Sequence, residues 1–258
     1  WSDCHPPERV RYMRSEIELA LSRASLLITD SEFTRREVAD YFSWPIEKIR
    51  AIPLASAGCF YPRGPELLQG LLQKFSLLEG GYSLFLGTIE PRKNLPTLLD
   101  AYESLPVSLR KRWPLILAGY SGWQSEDIFA RIEKGSRSGW IRYLGYLLPE
   151  DLPLLMAGAR LFLFPSFYEG FGLPVLEAMA SGIPVVCSNS SSLPEVAGDA
   201  ALMCDAADTN TLCQLIAKGL EDEVWRASAR ELGLVQAAKF SWSRCARETV
   251  DVYRSLQC

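Results

Sequence analysis

The sequence predicts an α/β fold built on a parallel sheet with helices on both faces. Two observations lead there. From Tyr82 onward, short apolar runs alternate with stretches of helical periodicity. Each run is nearly all apolar rather than alternating, as expected of strands buried on both faces. Strands that alternate in this way with helices belong to parallel sheets.

The elements follow in chain order. Val10, Met13, Ile17, Ala20 and Leu21 recur at helical spacing and predict a helix over Pro7–Arg23. "LLITDS" (Leu26–Ser31) reads as a buried strand, and Ser31 as the N-cap of a helix over Glu32–Tyr41. "KIRAIPLA" (Lys48–Ala55) reads as a second strand, and "YPRGPE" (Tyr61–Glu66) as a loop. The main block then runs through "YSLFLG" from Tyr82, "WPLILAG" from Trp113, "IRYLG" from Ile141, "RLFLFPS" from Arg160, "IPVVCS" from Ile183 and "AALMCD" from Ala200 as strands. Helices are expected over Leu95–Leu105, Asp127–Lys134, Leu152–Ala157, Pro174–Ser181, Thr209–Leu220 and from Trp242 to Leu256.

Composition narrows the function. Net charge is −4 and the sequence pI about 5.3, which argues against a nucleic-acid partner held by phosphate neutralisation. The longest apolar stretch, Leu152–Phe164, is broken by Arg160 and falls short of the roughly 18 residues of a membrane span. The chain begins with Trp1 and shows no signal peptide, so a fragment or processed product is expected. The seven cysteines (Cys4, Cys59, Cys187, Cys204, Cys213, Cys245 and Cys258) are scattered, without Cys-x-x-Cys. Free thiols in a reducing, cytoplasmic setting fit that pattern better than disulfides or zinc. One histidine, His5, rules out a multi-histidine metal site within this sequence, and there is no Asp-x-Asp to hold a metal-bound diphosphate.

Parallel sheets bind ligands beyond the carboxyl ends of their strands. That singles out five loops: Thr88–Asn94, Tyr120–Glu126, Tyr146–Glu150, Ser166–Leu173 and Ser188–Leu193. In "SFYEGFGLPVLEAMASG" (Ser166–Gly182), Gly170 and Gly172 allow close backbone approach, and Pro174 suits a first helical turn. The N–H groups of about Phe171–Val175 would then form an anion site at a helix start. Glu169 and Glu177 could bracket the anion and accept from hydroxyls. Taken alone, the turn reads slightly better as a capping acid followed by a solvated helix glutamate, since single short motifs often match by chance. In "GTIEPRKN", Arg92 and Lys93 could meet a phosphate in the same crevice, or form a solvated basic turn. Together, two cations, a helix start and two hydroxyl acceptors make a coherent metal-free site for a nucleotide-diphosphate sugar.

"LFLGTIEPRKNLPTLLDAY", "RYLGY" and "LFPSFYEGFGLPVLEAMASGIPVVCSNSSSLPEVAGDAALM" resemble the donor-binding half of glycosyltransferase family 4, with its GT-B fold and Rossmann-like sheet. The Glu-x7-Glu motif is complete. The resemblance implies that residues 1–55 are the end of an N-terminal acceptor domain and 56–81 a linker with a connecting helix. Residues 82–240 would be the nucleotide-sugar domain, and 241–258 a helix crossing back. It implies that Glu169 contacts donor-sugar hydroxyls and Glu177 the ribose. The Phe171–Leu173 backbone would meet the sugar and its phosphate, with Gly170 in the same turn. Arg92 and Lys93 would stabilise the leaving diphosphate, and Tyr146 and Leu147 would lie beside the base. Many relatives carry arginine after the first-strand glycine. Here Gly87 is followed by Thr88, which leaves open whether Arg92 takes that role.

The resemblance further implies retaining transfer, without a cofactor, of a sugar (best guess mannose from GDP-mannose) to a surface polysaccharide or glycolipid. That activity would be cytoplasmic, or peripheral at the inner membrane surface. The family's catalytic histidine would precede Trp1, and His5 is read as a loop residue. The alternative is an isolated nucleotide-sugar-binding domain without transfer. A nicotinamide oxidoreductase is disfavoured because no Gly-x-Gly-x-x-Gly follows a first strand, and a nucleotide-sugar epimerase because there is a single histidine. Residues 1–55, two strands and two helices, would leave apolar faces and a strand edge open, so self-association is expected.

Overall fold

The structure is a computed structural model that describes residues 6–256. The chain begins with α1 (Pro7–Arg23), β1 (Leu27–Thr29), α2 (Glu32–Phe42) and β2 (Ile49–Ala51), followed by α3 (Pro65–Lys74). The main block comprises β3 (Ser83–Leu86), α4 (Leu95–Ser104), α5 (Val107–Arg112), β4 (Leu115–Ala118), α6 (Glu126–Arg137), β5 (Ile141–Tyr143), α7 (Leu152–Ala157), β6 (Leu161–Phe164), α8 (Leu173–Ala180), β7 (Val185–Ser188), α9 (Leu193–Ala197) and β8 (Ala201–Cys204). Helices α10 (Thr209–Glu221), α11 (Glu223–Ala237) and α12 (Trp242–Ser255) follow. His5, Cys4 and Cys258 lie outside the described residues.

Strands β3 to β8 form one six-stranded parallel sheet in the order β5-β4-β3-β6-β7-β8, flanked by helices. The all-apolar runs meet the expectation for doubly covered strands. Every residue of β3, β4, β6 and β7 is buried. Phe85 stacks on Phe164 at 6.0 Å across the central pair, and Phe162 on Phe164 at 5.7 Å. The strand order reverses between β3 and β6: successive strands step one way from β3 and the other way from β6. Such a reversal opens a crevice beyond the carboxyl ends of the two strands. The loops after β3 and β6, which carry Arg92–Lys93 and Glu169, are therefore neighbours.

Local sequence explains the helix ends. Ser31 caps α2, accepting from the Thr34 N–H at 3.1 Å. Asp208, Asp222 and Ser241 cap α10, α11 and α12 in the same way. Helix α8 ends at Gly182, which is left-handed at φ 72°. Its N–H donates to Met179 at 2.9 Å, and that of Ile183 to Ala178 at 2.9 Å, the paired closure that favours glycine. The short helices α5 and α9 were not predicted; at six and five residues they offer too few turns for periodicity to register.

Residues 6–55 behave differently from the main block. β1 and β2 pair in a separate two-stranded parallel sheet. Helix α1 buries no side chain, and Tyr12, Met13, Leu19 and Ile28 are exposed. Helix α2 is tied to the main domain at its start. The Glu195 carboxylate accepts from the N–H groups of Glu32 at 3.0 Å and Phe33 at 2.7 Å. Nearby, the Thr34 hydroxyl donates to the Gly170 carbonyl at 3.2 Å, and the Tyr168 hydroxyl donates to Glu37.

Candidate active site at the strand-order reversal

The loop after β3 turns through Pro91–Lys93 as a single 3-10 turn and ends on Asn94, a left-handed residue with φ 56°. Asparagine tolerates that conformation, and here its side chain has a further task. Asn94 Nδ2 donates to the carbonyls of Pro165 at 3.0 Å and Ala206 at 2.7 Å. It thereby fastens the Arg92–Lys93 loop to the loops after β6 and β8. The Phe167 N–H donates back to the Arg92 carbonyl at 3.0 Å. Asn94→Ala would leave two carbonyls without their donor, which should cost about 2–4 kcal/mol. Urea unfolding checks this; a midpoint equal to the parent's would show that the clamp contributes nothing.

This clamp delivers both cations to one carboxylate. Lys93 Nζ donates to Glu169 Oε1 at 2.7 Å, and Arg92 Nη1 lies 2.9 Å from Glu169 Oε2. Arg92 also donates to Glu90 Oε1 at 2.7 Å and to the Tyr168 carbonyl at 2.7 Å. Lys93, Glu169 and Glu90 are each under 10% exposed. The reading of "RK" as a solvated basic turn is therefore set aside. Lys93 also stands 4.7 Å over the Phe164 ring, and burial holds its ammonium below the usual lysine range against the pull of Glu169.

The turn after Glu169 is held from the loop after β7. The Glu169 N–H donates to the Ser191 hydroxyl at 2.8 Å. The Ser192 hydroxyl lies 2.9 Å from the Glu169 carbonyl and 2.7 Å from that of Phe171. Phe171 is buried edge-to-face on Phe240 at 5.7 Å. Gly172, at φ 112°, has no room for a Cβ, which would stand 2.7 Å from Leu193 Cδ2. Gly170 has nothing within 4 Å of such a Cβ and no positive φ. Internal packing thus requires glycine at 172 but not at 170.

The set of free donors differs slightly from expectation. The Val175 N–H is engaged with the Gly172 carbonyl at 3.0 Å, and Pro174 has none to offer. In this turn, the N–H groups of Gly170, Phe171, Gly172 and Leu173 have no hydrogen-bond acceptor among the described residues, one step toward Glu169 from the predicted Phe171–Val175. The positive end of α8 lies behind them.

Glu177 lies in α8, half-buried, and its carboxylate has no hydrogen bond or ion pair among the described residues. Burial alone pushes its carboxyl up to about 7 from an ordinary 4.5. The folded state then binds a proton more readily than the unfolded chain between those values. Stability should fall as pH rises through that window and level off above it. Glu177→Gln is expected to flatten the slope, measured as urea midpoints at about pH 5 and about pH 7.5. An unchanged slope in that variant would contradict the assignment.

Gly87 follows β3 beside Lys93, whose Cε would stand 3.6 Å from a Cβ there, and the Gly87 N–H donates to the Ala118 carbonyl at 3.0 Å. Thr88 follows, partly buried, beside Gly122. Leu147 is buried in the core. Tyr146 is 50% exposed and stacks on Tyr120 at 4.3 Å. The structure thus brings Arg92, Lys93, Glu169 and the Gly170–Leu173 turn together. It adds Glu90, Asn94, Ser191, Ser192 and Tyr120, which the sequence reading left unassigned. Only Tyr120 carried a usable signal, an aromatic residue opening one of the five loops.

The family model for glycosyl transferases group 1 matches residues 73–234. O-antigen chain mannosyltransferase B of Escherichia coli is 48% identical over 252 residues, covering 98% of this chain and 66% of the relative. Serotype-specific mannosyltransferase WbdA of Escherichia coli is 34% identical over 256 residues, covering 97% of this chain and 31% of the relative. The chain therefore spans under two thirds of the length of these curated relatives. Among solved structures, Anabaena Alr3699/HepE in complex with UDP and glucose superimposes with a TM-score of 0.83 at 21% identity, covering 99% of this chain and 70% of that one. WaaG, a glycosyltransferase involved in lipopolysaccharide biosynthesis, does so at 0.78 and 20% identity, covering 97% and 73%. At such identities the structural likeness establishes the fold. With the sheet, the reversal-point crevice and the family match in agreement, the chain belongs to the glycosyl transferases group 1 family.

Proposed function

We propose that this chain supplies the donor-binding part of a retaining glycosyltransferase, one that moves mannose from GDP-mannose to a surface polysaccharide. One observation carries the reading: Arg92 and Lys93 converge on Glu169 beside the free N–H groups of Gly170–Leu173. A leaving diphosphate needs positioned positive charge, and buried cations with backbone donors supply it without reorganisation. Arg92, Lys93 and the turn would hold the diphosphate, with no metal required. Glu169 would accept from sugar hydroxyls and Glu177 from the ribose, while Tyr120 and Tyr146 would offer a stacking face to the base. In transfer, the bond from the anomeric carbon to the diphosphate breaks with its electron pair leaving on phosphate. The acceptor hydroxyl bonds to that carbon and gives up its proton. The names of the O-antigen relatives support mannose and a polysaccharide product; GDP and retention rest on the sequence resemblance. No helix among the described residues is long and apolar enough to cross a membrane; cytoplasmic or peripheral residence is part of the proposal.

Calorimetric titration of the chain with GDP-, UDP- and ADP-sugars tests the reading. Saturable binding of GDP-mannose in preference to the others is expected. Binding without transfer to any acceptor would favour a donor-binding domain alone, and no binding to any nucleotide sugar would sink the proposal. Self-association through residues 1–55 is checked by light scattering, where a monodisperse monomer would count against it.

A further inference from the structure

The charges at the site balance without a ligand. Arg92 and Lys93 face Glu90 and Glu169, and each Glu169 oxygen already holds one cation, at 2.7 Å and 2.9 Å. The groups proposed to grip a diphosphate are thus occupied by a carboxylate of the same chain. A buried ion cannot lose its partner without a replacement. A diphosphate can replace Glu169 at the cations, but Glu169 then needs donors of its own. Sugar hydroxyls are such donors, and a bare diphosphate brings none. Arg92 keeps Glu90 as a counter-charge at 2.7 Å, so the exchange falls mainly on Lys93.

We propose that Glu169 is an internal competitor for the diphosphate position, and that this competition selects sugar-bearing nucleotides over bare nucleoside diphosphates. The inference rests on the donor-site reading above. Its consequence is directional. Once the sugar has left, Glu169 has lost its hydroxyl partners and returns to Lys93, expelling the spent diphosphate. A sugar-binding carboxylate that did not engage the cations would have far less effect on affinity for a sugar-free ligand.

The test uses inorganic pyrophosphate, which carries neither base nor sugar, titrated calorimetrically against the 258-residue chain. Glu169→Gln is expected to bind pyrophosphate about tenfold tighter than the parent, the scale of one charge-assisted hydrogen bond. The same variant should lose the parent's preference for GDP-mannose over GDP. If Glu169→Gln does not fold, Glu169→Asp serves instead: the shorter side chain cannot span both cations and should also tighten pyrophosphate binding. Unchanged or weaker pyrophosphate binding in these variants, alongside weakened binding in Arg92→Ala and Lys93→Ala, would overturn the competition and leave the donor site standing. Pyrophosphate binding absent from the parent and from Glu169→Gln alike, or indifferent to Arg92→Ala and Lys93→Ala, would overturn both.

Discussion

Lys93→Ala is expected to lower the turnover of the intact enzyme by ~10²–10³, the usual loss on removing one preorganised donor from a developing anion. The size follows from where the ammonium sits. Lys93 is 7% exposed, braced over Phe164 and supplied by a loop that Asn94 clamps at two carbonyls. Water cannot easily replace a charge held in that way, and low local polarity would strengthen its action on the proposed leaving diphosphate. The variant should still fold, because Glu169 keeps its contact with Arg92 at 2.9 Å. Steady-state kinetics on the parent-length protein check it, with thermal melting as the folding control. A near-normal turnover number would remove Lys93 from leaving-group stabilisation.

Gly119→Ala should be among the most destabilising single changes in the sheet, at about 4 kcal/mol or more. Gly119 follows β4 with φ 140°, a conformation that side chains rarely adopt. A Cβ there would stand 2.0 Å from the Gly87 carbonyl oxygen and 2.6 Å from its carbon. Those are backbone atoms, and no rotamer change relieves them. They are also pinned: the Gly87 N–H donates to Ala118 at 3.0 Å and the Gly119 N–H to Gly145 at 2.8 Å. Relief would have to part the ends of β3 and β4, where the crevice begins. Thermal unfolding should show a loss of roughly 10 °C or more. Gly170→Ala is the internal control, since its Cβ would enter open space and the fold should be indifferent to it. A Gly119→Ala melting temperature within a degree or so of the parent's would contradict this packing.

The fold was largely legible because its signals are local. All-apolar runs marked the strands, and Ser31 and Gly182 marked helix ends through backbone chemistry that a few neighbouring residues determine. The site was legible in part. Glu169, Arg92 and Lys93 could be picked out from the loops they occupy. That the cations would be buried against the carboxylate was not visible, because the partners are about 76 residues apart and meet only through the strand-order reversal. Asn94, Ser191 and Ser192 were missed for the same reason, as each acts on a loop distant in sequence, whereas Glu90 pairs with Arg92 two residues on. Glu177 stood out as an acid near a turn, but its isolation in a half-buried pocket of α8 depends on packing that periodicity does not describe.

The central claim is that the crevice at the strand-order reversal holds a nucleotide diphosphate. A crystal structure of the chain with GDP-mannose, whose sugar hydroxyls can take Glu169 from Lys93, tests it most directly. The account predicts phosphate oxygens within hydrogen-bonding distance of Lys93 Nζ, Arg92 and the N–H groups of Gly170–Leu173, with Lys93 released from Glu169. A nucleotide bound elsewhere, with the Lys93–Glu169 pair intact at 2.7 Å, would contradict it.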